Sequence, residues 1–207
     1  MRVDEAIRVR VHYDFASSLC YVAHRSMQRL GDFLDDIGLV LDWTPIDLSG
    51  LTGWRPGAQV ASDRLDDIRQ IAAGLDVPIR IPGRWQDSRR VGAATLVLLE
   101  RERTDAGRRE PTWRERVFSA IYEEGRRCDE PGFAEGILDA LGIVIDPREL
   151  DEAVDRLEAC TLDAARASVT GVPTFMLGGW PFGGIQDEAT MRSILGRHAA
   201  RRRAPPT

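Results

Sequence analysis

The sequence feature that most restricts the fold is a long helical block that separates two groups of strands. From Asp63 to about Thr170 the pattern is nearly all helical, and Gly and Pro residues mark the turns. Strand patterns lie on both sides of this block. We therefore predict a single α/β domain that carries a helical insertion. The predicted helices of the block are Arg64–Leu75, Asp87–Arg103, Thr112–Arg127, Gly132–Leu141 and Pro147–Ser168.

The segment before the block predicts a strand–helix–strand unit. Side chains alternate strictly over Ile7–Tyr13, which indicates a strand, with His12 on the surface of the sheet opposite the apolar face. A helix follows Ser17 and Ser18, and a second strand covers Leu39–Ile46. Such units pair their strands in parallel through a right-handed crossover. The Gly-rich stretch Asp47–Pro56 predicts a loop.

The segment after the block predicts a hairpin and a last helix. Strand character covers Val172–Leu177, and Gly178–Gly179 indicate a two-residue turn. A short strand over Trp180–Phe182 and a helix over Asp187–Ala200 complete the pattern. The predicted division of the chain is a sheet domain at residues 7–46 and 171–200, a helical insertion at 60–170 and a disordered tail at 201–207.

Two residue types are absent from the chain, and their absence excludes several classes of enzyme. The sequence contains no Lys and no Asn. Schiff-base chemistry, the pyridoxal-phosphate anchor and the phosphate-binding lysine of nucleotide-binding loops all need a lysine. The formal net charge of -5 also argues against a nucleic-acid partner, because nucleic-acid binders more often carry a basic excess.

The cysteine pattern favours a reducing compartment. Cys20, Cys128 and Cys160 are an odd number at unrelated spacings, so we expect free thiols and a cytoplasmic protein. The three histidines are too scattered for a metal cluster, and we expect no metal. No apolar run approaches the ~18 residues of a membrane helix, and the N-terminus lacks the apolar region of a signal peptide. We expect no membrane partner, and the sequence is compatible with either a monomer or a homodimer.

The first candidate site is Ser17-Ser18-Leu19-Cys20, where the first strand meets its helix. A helix N-terminus presents unpaired N–H groups and the positive end of the helix dipole, which stabilise a thiolate or another anion. The same residues also fit a structural role, with a serine as helix cap and Cys20 as a small core residue. His24 lies one turn later on the face of Cys20, as a modulator of the thiol or as a bystander.

The second candidate site is Thr170-Gly-Val-Pro-Thr-Phe175. A cis bond before Pro173 would turn the backbone of Val172 outward, where it could pair with a bound chain. Cis bonds occur at only ~5–6% of X–Pro positions in folded proteins, so position alone does not predict one.

Together, Asp14-Phe-Ala-Ser-Ser-Leu-Cys-Tyr21 and Thr170-Gly-Val-Pro-Thr-Phe175 resemble the DsbA-like branch of the thioredoxin superfamily. Within it, the chain is most similar to the FrnE-type oxidoreductases, the 2-hydroxychromene-2-carboxylate isomerases and the kappa-class glutathione transferases. The resemblance spans residues 7–200. It implies a thioredoxin-like α/β fold with a large all-helical insertion, a cis bond before Pro173, and a thiol-binding role for Val172 and Pro173.

The family has two versions of the helix-start motif, and this chain combines them. The oxidoreductases carry Cys-x-x-Cys, whose first cysteine attacks a disulfide while the second resolves the mixed disulfide. The isomerases and kappa transferases carry Ser-Pro-x-Ser, whose first serine hydrogen-bonds the sulfur of glutathione. Here Ser17 and Cys20 occupy the two positions, and the resemblance implies that both are catalytic. A hydroxyl cannot exchange disulfides, so the ordinary two-cysteine cycle is unavailable at Ser17 and Cys20. Cys128 and Cys160 lie far away in the sequence and could approach Cys20 only if the fold brings them together.

The resemblance also points to residues that would hold a thiol. The related isomerases hold glutathione with an Asn and often a Lys, which this chain lacks. Trp54 and Arg55 stand in the corresponding loop, with Arg55 as a carboxylate clamp or both as plain surface residues. Gln186 and Asp187 stand where the last helix begins, within a Gly-Ile-Gln segment like that of the FrnE branch. Helix capping alone would also explain Asp187.

Three functions follow as hypotheses. The leading one is a DsbA/FrnE-like thiol–disulfide oxidoreductase with an altered redox repertoire, favoured by Cys20 and the Gly-Ile-Gln segment. The second is an isomerase or kappa-like transferase that uses Ser17 and depends on glutathione or another low-molecular-weight thiol. The third is a non-catalytic module that binds extended peptides at the proline bend. The implied partners are thiol or disulfide substrates, small or peptidic, and no cofactor is firmly bound.

Overall fold

Four strands form one mixed sheet in the part of the chain that the computed structural model describes, residues 6–104 and 108–204. None of the helices in these two ranges is long and apolar enough to cross a bilayer. The elements are β1 (Ile7–Tyr13), α1 (Ser18–Arg29), α2 (Gly31–Asp36), β2 (Leu39–Pro45), α3 (Leu48–Thr52), α4 (Ser62–Gly74), α5 (Arg89–Thr104), α6 (Glu110–Tyr122), α7 (Phe133–Ala140), α8 (Pro147–Arg166), β3 (Thr174–Leu177), β4 (Trp180–Gly183) and α9 (Glu188–Arg203).

The sheet joins strands from both ends of the chain in the order β2-β1-β3-β4. β1 pairs with β2 in parallel, which confirms the predicted strand–helix–strand unit. β3 runs antiparallel to β1 and places Thr174 opposite His12. β4 returns antiparallel to β3 through Gly178 and Gly179, whose φ values of 63° and 92° suit a tight turn that favours glycine. The hairpin prediction is therefore confirmed.

The alternation along β1 sends its side chains to two different environments. Val9, Val11 and Tyr13 are fully buried in the main core, where Tyr13 lies 5.9 Å from Phe118 of α6 between ring centroids. His12 points to the opposite face, as its place in the alternation requires. It is buried rather than on the surface as predicted, because side chains of α8 enclose the same space.

The inserted helices share one core with the sheet. Trp113, Phe118 and Tyr122 of α6 are fully buried in the same cluster as Val9 and Val11. The boundaries between the sheet domain and the insertion are therefore boundaries in the sequence only. In the folded protein both parts contribute to one hydrophobic core, whose burial drives folding.

Several predicted elements differ from the structure, and the larger differences have a physical reason. The predicted loop contains α3, which begins after the cap Asp47, whose side chain accepts a hydrogen bond from the Ser49 amide at 2.9 Å. α6 ends at Tyr122, before Gly125 with its left-handed φ of 76°. α9 continues to Arg203, three residues into the predicted disordered tail. A guanidinium bond of 2.6 Å from Arg203 to the Ile37 carbonyl holds that end, and basic residues favour a helix C-terminus. Residues 205–207 of the predicted tail lie outside the described residues.

Candidate active site

Ser17 caps the N-terminus of α1 with its backbone but not with its side chain. Its φ and ψ of -90° and 111° are extended, and its carbonyl oxygen accepts the Cys20 amide at 2.9 Å. The Ser17 hydroxyl makes no capping bond, and it acts on the nearby Cys20 thiol by lowering the pKa of that thiol. Ser17 therefore leaves the first amides of α1 without a side-chain cap, and the described residues supply no other side-chain acceptor, so the positive end of the helix dipole is available to an anion.

Cys20 lies one turn inside α1, and its side chain is completely buried. Burial raises the pKa of the Cys20 thiol to about 12, although the Ser17 hydroxyl acts in the opposite direction. The thiolate is the reactive form of cysteine, so Cys20 is a poor nucleophile near neutral pH in this conformation.

Asp14 is the residue that sequence reasoning did not single out, and it organises the turn before Ser17. One carboxylate oxygen accepts the Ala16 amide at 2.7 Å and the Ser88 hydroxyl, and the other accepts the Leu48 amide at 2.6 Å. Burial raises the pKa of Asp14 to about 6, outweighing these three bonds. The signal for it was an acidic residue at the end of an apolar strand, a position where a buried carboxylate needs donors.

The inserted helices also reach this turn. Tyr122 at the end of α6 donates a 2.8 Å hydrogen bond to the carbonyl oxygen of Phe15. Cys128 follows in the next loop, where its amide donates to the Gln86 side chain at 2.7 Å. Burial and then the charge of Asp14 raise the pKa of the Cys128 thiol. The fold thus brings Cys128 toward the site as a buried, protonated thiol, whereas Cys160 lies elsewhere, on α8.

The proline bend lies at the same end of the sheet as Ser17. The peptide bond between Val172 and Pro173 is cis. Thr174 pairs with His12 of β1, so Pro173 stands beside the end of the strand from which the chain runs to Ser17. The Pro173 carbonyl accepts the Gly184 amide at 2.8 Å, which joins the bend to the segment that leads into α9.

Of the predicted loop pair, Trp54 lines a cavity beside Asp14 and Arg55 does not. Trp54 stacks on Trp85 with ring centroids 3.6 Å apart and an interplanar angle of 27°. Both rings wall a narrow cavity that also includes Asp14 and Ser88. Arg55 is exposed, and its side chain makes no hydrogen bond or ion pair with the described residues.

The predicted pair before α9 has a clear structural role in one member. Asp187 caps α9 and accepts the amide and hydroxyl of Thr190 at 2.9 and 2.7 Å. These bonds lower the pKa of Asp187. Gln186 is exposed, two residues after the Gly184 that bonds the proline bend. Capping therefore accounts for Asp187, and a ligand role for Gln186 stays a prediction.

His24 turns away from Cys20 into a separate polar cluster. Its Nε2 lies 2.7 Å from the Glu115 carboxylate, and its Nδ1 lies 3.0 Å from the Arg114 guanidinium. Its ring stacks on Phe118 at 5.2 Å, and burial lowers the pKa of His24. The structure gives His24 a packing and bridging role between α1 and α6, which agrees with the bystander alternative.

Comparison with known proteins identifies the fold. The family model of the DSBA-like thioredoxin domain matches residues 8–196. A solved structure of 2-hydroxychromene-2-carboxylate isomerase has a TM-score of 0.71 at 23% sequence identity, covering 95% of this chain and 98% of its own. The predicted thioredoxin-like fold with a large helical insertion is thereby confirmed.

Two further structures with the same fold are described as oxidoreductases. A probable DsbA oxidoreductase from Streptomyces coelicolor has a TM-score of 0.72 at 18% identity, covering 97% of this chain and 93% of its own. The cytosolic disulfide reductase DsbM from Pseudomonas aeruginosa with GSH has a TM-score of 0.63 at 19% identity, covering 94% and 100%. None of the curated protein sequences matches the chain. At these identities the structures show that the fold is shared. The reaction has to be inferred from the residues of the site.

Proposed function

The chain belongs to the family of DSBA-like thioredoxin domains, and on this premise we propose that it is a thiol-dependent isomerase or transferase that binds a low-molecular-weight thiol, such as glutathione, at Ser17. The family and the related structures indicate an enzyme of the DsbA-like oxidoreductase and isomerase group. Within that group, the proposal favours the thiol-dependent isomerases and transferases over the oxidoreductases.

The observation that carries the proposal is the contrast between Ser17 and Cys20. Cys20 is 0% exposed, and its raised pKa keeps the thiol protonated, so it is poorly suited to attack a disulfide. Ser17 is also largely buried, at 4% exposure, but it stands at the uncapped start of α1, where its hydroxyl cannot exchange disulfides and can hydrogen-bond a sulfur that reaches it. A site with this pair is better suited to activating an added thiol than to supplying one.

The proposed step is the deprotonation of a bound thiol. The sulfur of the ligand binds beside the Ser17 hydroxyl, which donates a hydrogen bond to the thiolate. The positive end of α1 also favours the anion, so both effects lower the pKa of the bound thiol. The thiol proton leaves to solvent, and the thiolate is the nucleophile that attacks an electrophilic carbon of the second substrate.

The remainder of the thiol would lie along the proline bend and the tryptophan pair. Val172 offers its backbone beside Pro173, Trp54 offers an aromatic wall, and Gln186 offers an amide. The related reductase structure that includes GSH supports glutathione as the ligand class. We propose the cytoplasm as the compartment, which is supported by the free state of Cys20, Cys128 and Cys160.

Thermal denaturation with millimolar glutathione tests the proposal. We expect glutathione at about ten times its Kd to raise the Tm by roughly 3 °C in the wild type and in Cys20→Ala. The shift should vanish in Ser17→Ala and persist in Ser18→Ala, a matched control at the next buried serine. An equal shift in Ser17→Ala and the wild type would contradict the role of Ser17.

A thiol–disulfide oxidoreductase is the second candidate, favoured by the cysteine that stands one turn into α1 at position 20. In that function the Cys20 thiolate would attack a substrate disulfide, form a mixed disulfide and release the other sulfur as a thiol, and a glutathione thiolate would then attack the mixed disulfide and release Cys20. Turnover in insulin reduction separates the two functions. A wild-type activity that Cys20→Ala abolishes and Ser17→Ala retains would establish the oxidoreductase and refute the thiol-activating site.

A further inference from the structure

A second cavity lies on the face of the sheet opposite Val9 and Val11. It has a volume of about 650 Å³ and is bounded by β1, β2, the turn between β3 and β4, the last turns of α8 and the end of α9. We call it the second-face cavity. None of the residues placed at the Ser17 site lines it, so it is separate from the proposed active site.

Two guanidinium groups of the second-face cavity have no partner within residues 6–104 and 108–204. Of its two carboxylates, Asp42 is paired with Arg8 at 2.7 Å, and Asp163 is paired with Arg166 at 2.8 Å. Arg10 and Arg202 also line the cavity, and neither has an ion pair or hydrogen bond among the residues that the structure describes. The cavity therefore has an excess of positive charge that a negatively charged ligand would neutralise.

His12 supplies an independent sign of a ligand. The residue is buried, with only 4% of its surface exposed, and it lines the second-face cavity. Nδ1 is enclosed by protein and has no hydrogen-bond partner in the described ranges, and Nε2 also has none there and is the ring nitrogen that a ligand in the cavity would reach. Burial and the nearby charge of Arg10 lower the pKa of His12 to about 4, so the ring is neutral near pH 7 and has one donor and one acceptor nitrogen. Buried polar groups without partners are rare in folded proteins.

The rest of the lining suits an organic molecule rather than a bare ion. Ala164, Ala167 and Met176 provide apolar surface beside the charged groups. The volume also falls within the ~300–1,000 Å³ of pockets that hold small organic ligands.

We propose that the second-face cavity binds a small organic molecule with two acidic groups, carboxylates or phosphates, which pair with Arg10 and Arg202 while His12 hydrogen-bonds the ligand between them. The charge excess, the unpartnered histidine and the apolar lining together carry this assignment. It does not depend on the proposed function, because no residue of the Ser17 site takes part.

Calorimetric titration with citrate and with inorganic pyrophosphate tests the proposal and separates carboxylate from phosphate ligands. We expect at least one probe to bind with 1:1 stoichiometry. Arg10→Gln and Arg202→Gln should each weaken binding at least about tenfold, because each removes a charge-assisted hydrogen bond. Arg148→Gln, which removes an exposed arginine at the opposite end of α8, and Ser17→Ala should leave the affinity unchanged.

Cys160 provides a local readout, because its half-buried thiol lines the same cavity and feels the charge of Arg10. A bound probe should slow its alkylation, followed by mass spectrometry, in the wild type and not in Arg10→Gln. The proposal is overturned if neither probe binds up to about 10 mM, which is weaker than any specific site of this kind. Binding that both arginine variants retain would also overturn it. So would a dimer that shields Cys160 without any probe and dissociates in Arg10→Gln, since a second copy would then fill the cavity.

Discussion

The hydroxyl of Tyr122 donates a 2.8 Å hydrogen bond to the main-chain oxygen of Phe15. Tyr122 is the last residue of α6, and Phe15 lies in the turn that precedes Ser17. Both side chains are buried, and Tyr122 also stacks on Tyr21 with ring centroids 5.0 Å apart. The inserted helices therefore hold the turn of the candidate active site directly.

Tyr122→Phe should lower the free energy of unfolding by about 1–3 kcal/mol, because the buried Phe15 carbonyl loses its donor. Tyr21→Phe is a matched control. It removes a 2.9 Å bond to the exposed Glu123, whose carboxylate can bind water instead, and should cost less than ~1 kcal/mol. Urea denaturation measures both values. Equal losses in the two variants would show that the Tyr122 bond has no special role.

Asp14 should make stability fall as the pH rises from about 4 to about 6. Its pKa is raised by burial from an ordinary value of 3.8 to about 6, so in this interval the folded protein keeps a proton that the unfolded chain releases. Asp14→Asn does not titrate. The unfolding free energy of the wild type minus that of Asp14→Asn should therefore decrease by up to ~3 kcal/mol over this interval. Urea denaturation at several pH values measures the difference, and a flat or rising difference would contradict the burial argument.

Ser17→Cys should create thiol–disulfide exchange activity. The new thiol would stand at the uncapped start of α1, where the helix dipole favours the thiolate, with Cys20 one turn away to resolve a mixed disulfide. Insulin reduction should rise at least about tenfold over the wild type, since only a thiolate attacks disulfides at a useful rate. Ser18→Cys adds a thiol at the neighbouring buried position and should have no such effect. Equal gains in both variants would mean that position 17 is not the attacking position.

Trp54→Ala should weaken glutathione binding by about tenfold, because it removes the aromatic wall that stacks on Trp85 beside Asp14. Arg55→Ala changes the adjacent residue, whose side chain makes no contact with the site, and should leave the affinity unchanged. Calorimetric titration of both variants decides the matter. A loss of affinity in Arg55→Ala alone would show that the clamp predicted by resemblance operates and that the tryptophan wall does not.

The main elements were predictable where a strong period repeats over several residues. The alternation in Ile7–Tyr13 predicted β1 with its exact bounds, and the glycine pair at 178–179 predicted the hairpin. α3 was missed because five residues are too few to display a helical period. Its cap residue Asp47 and the left-handed Gly53 that ends it were visible in the sequence, but each also occurs in plain loops.

The candidate site was predictable only as far as its two motifs. Ser17 and Pro173 stood out, yet their partners lie far away in sequence: Ser88 and Tyr122 reach the turn through the packing of the inserted helices. No local pattern marks such a residue. The burial of Cys20 likewise follows from its place in the shared core, which a single sequence does not display.

The pairing of Thr174 with His12 separates the backbone that holds the candidate site from the loops that surround it. Backbone ladders hold the serine turn and the proline bend at a constant spacing, whereas Trp54 and Gln186 project from connecting loops. Loops exchanged between members of this fold could therefore redirect such an enzyme to new molecules while its nucleophile-activating chemistry stays intact.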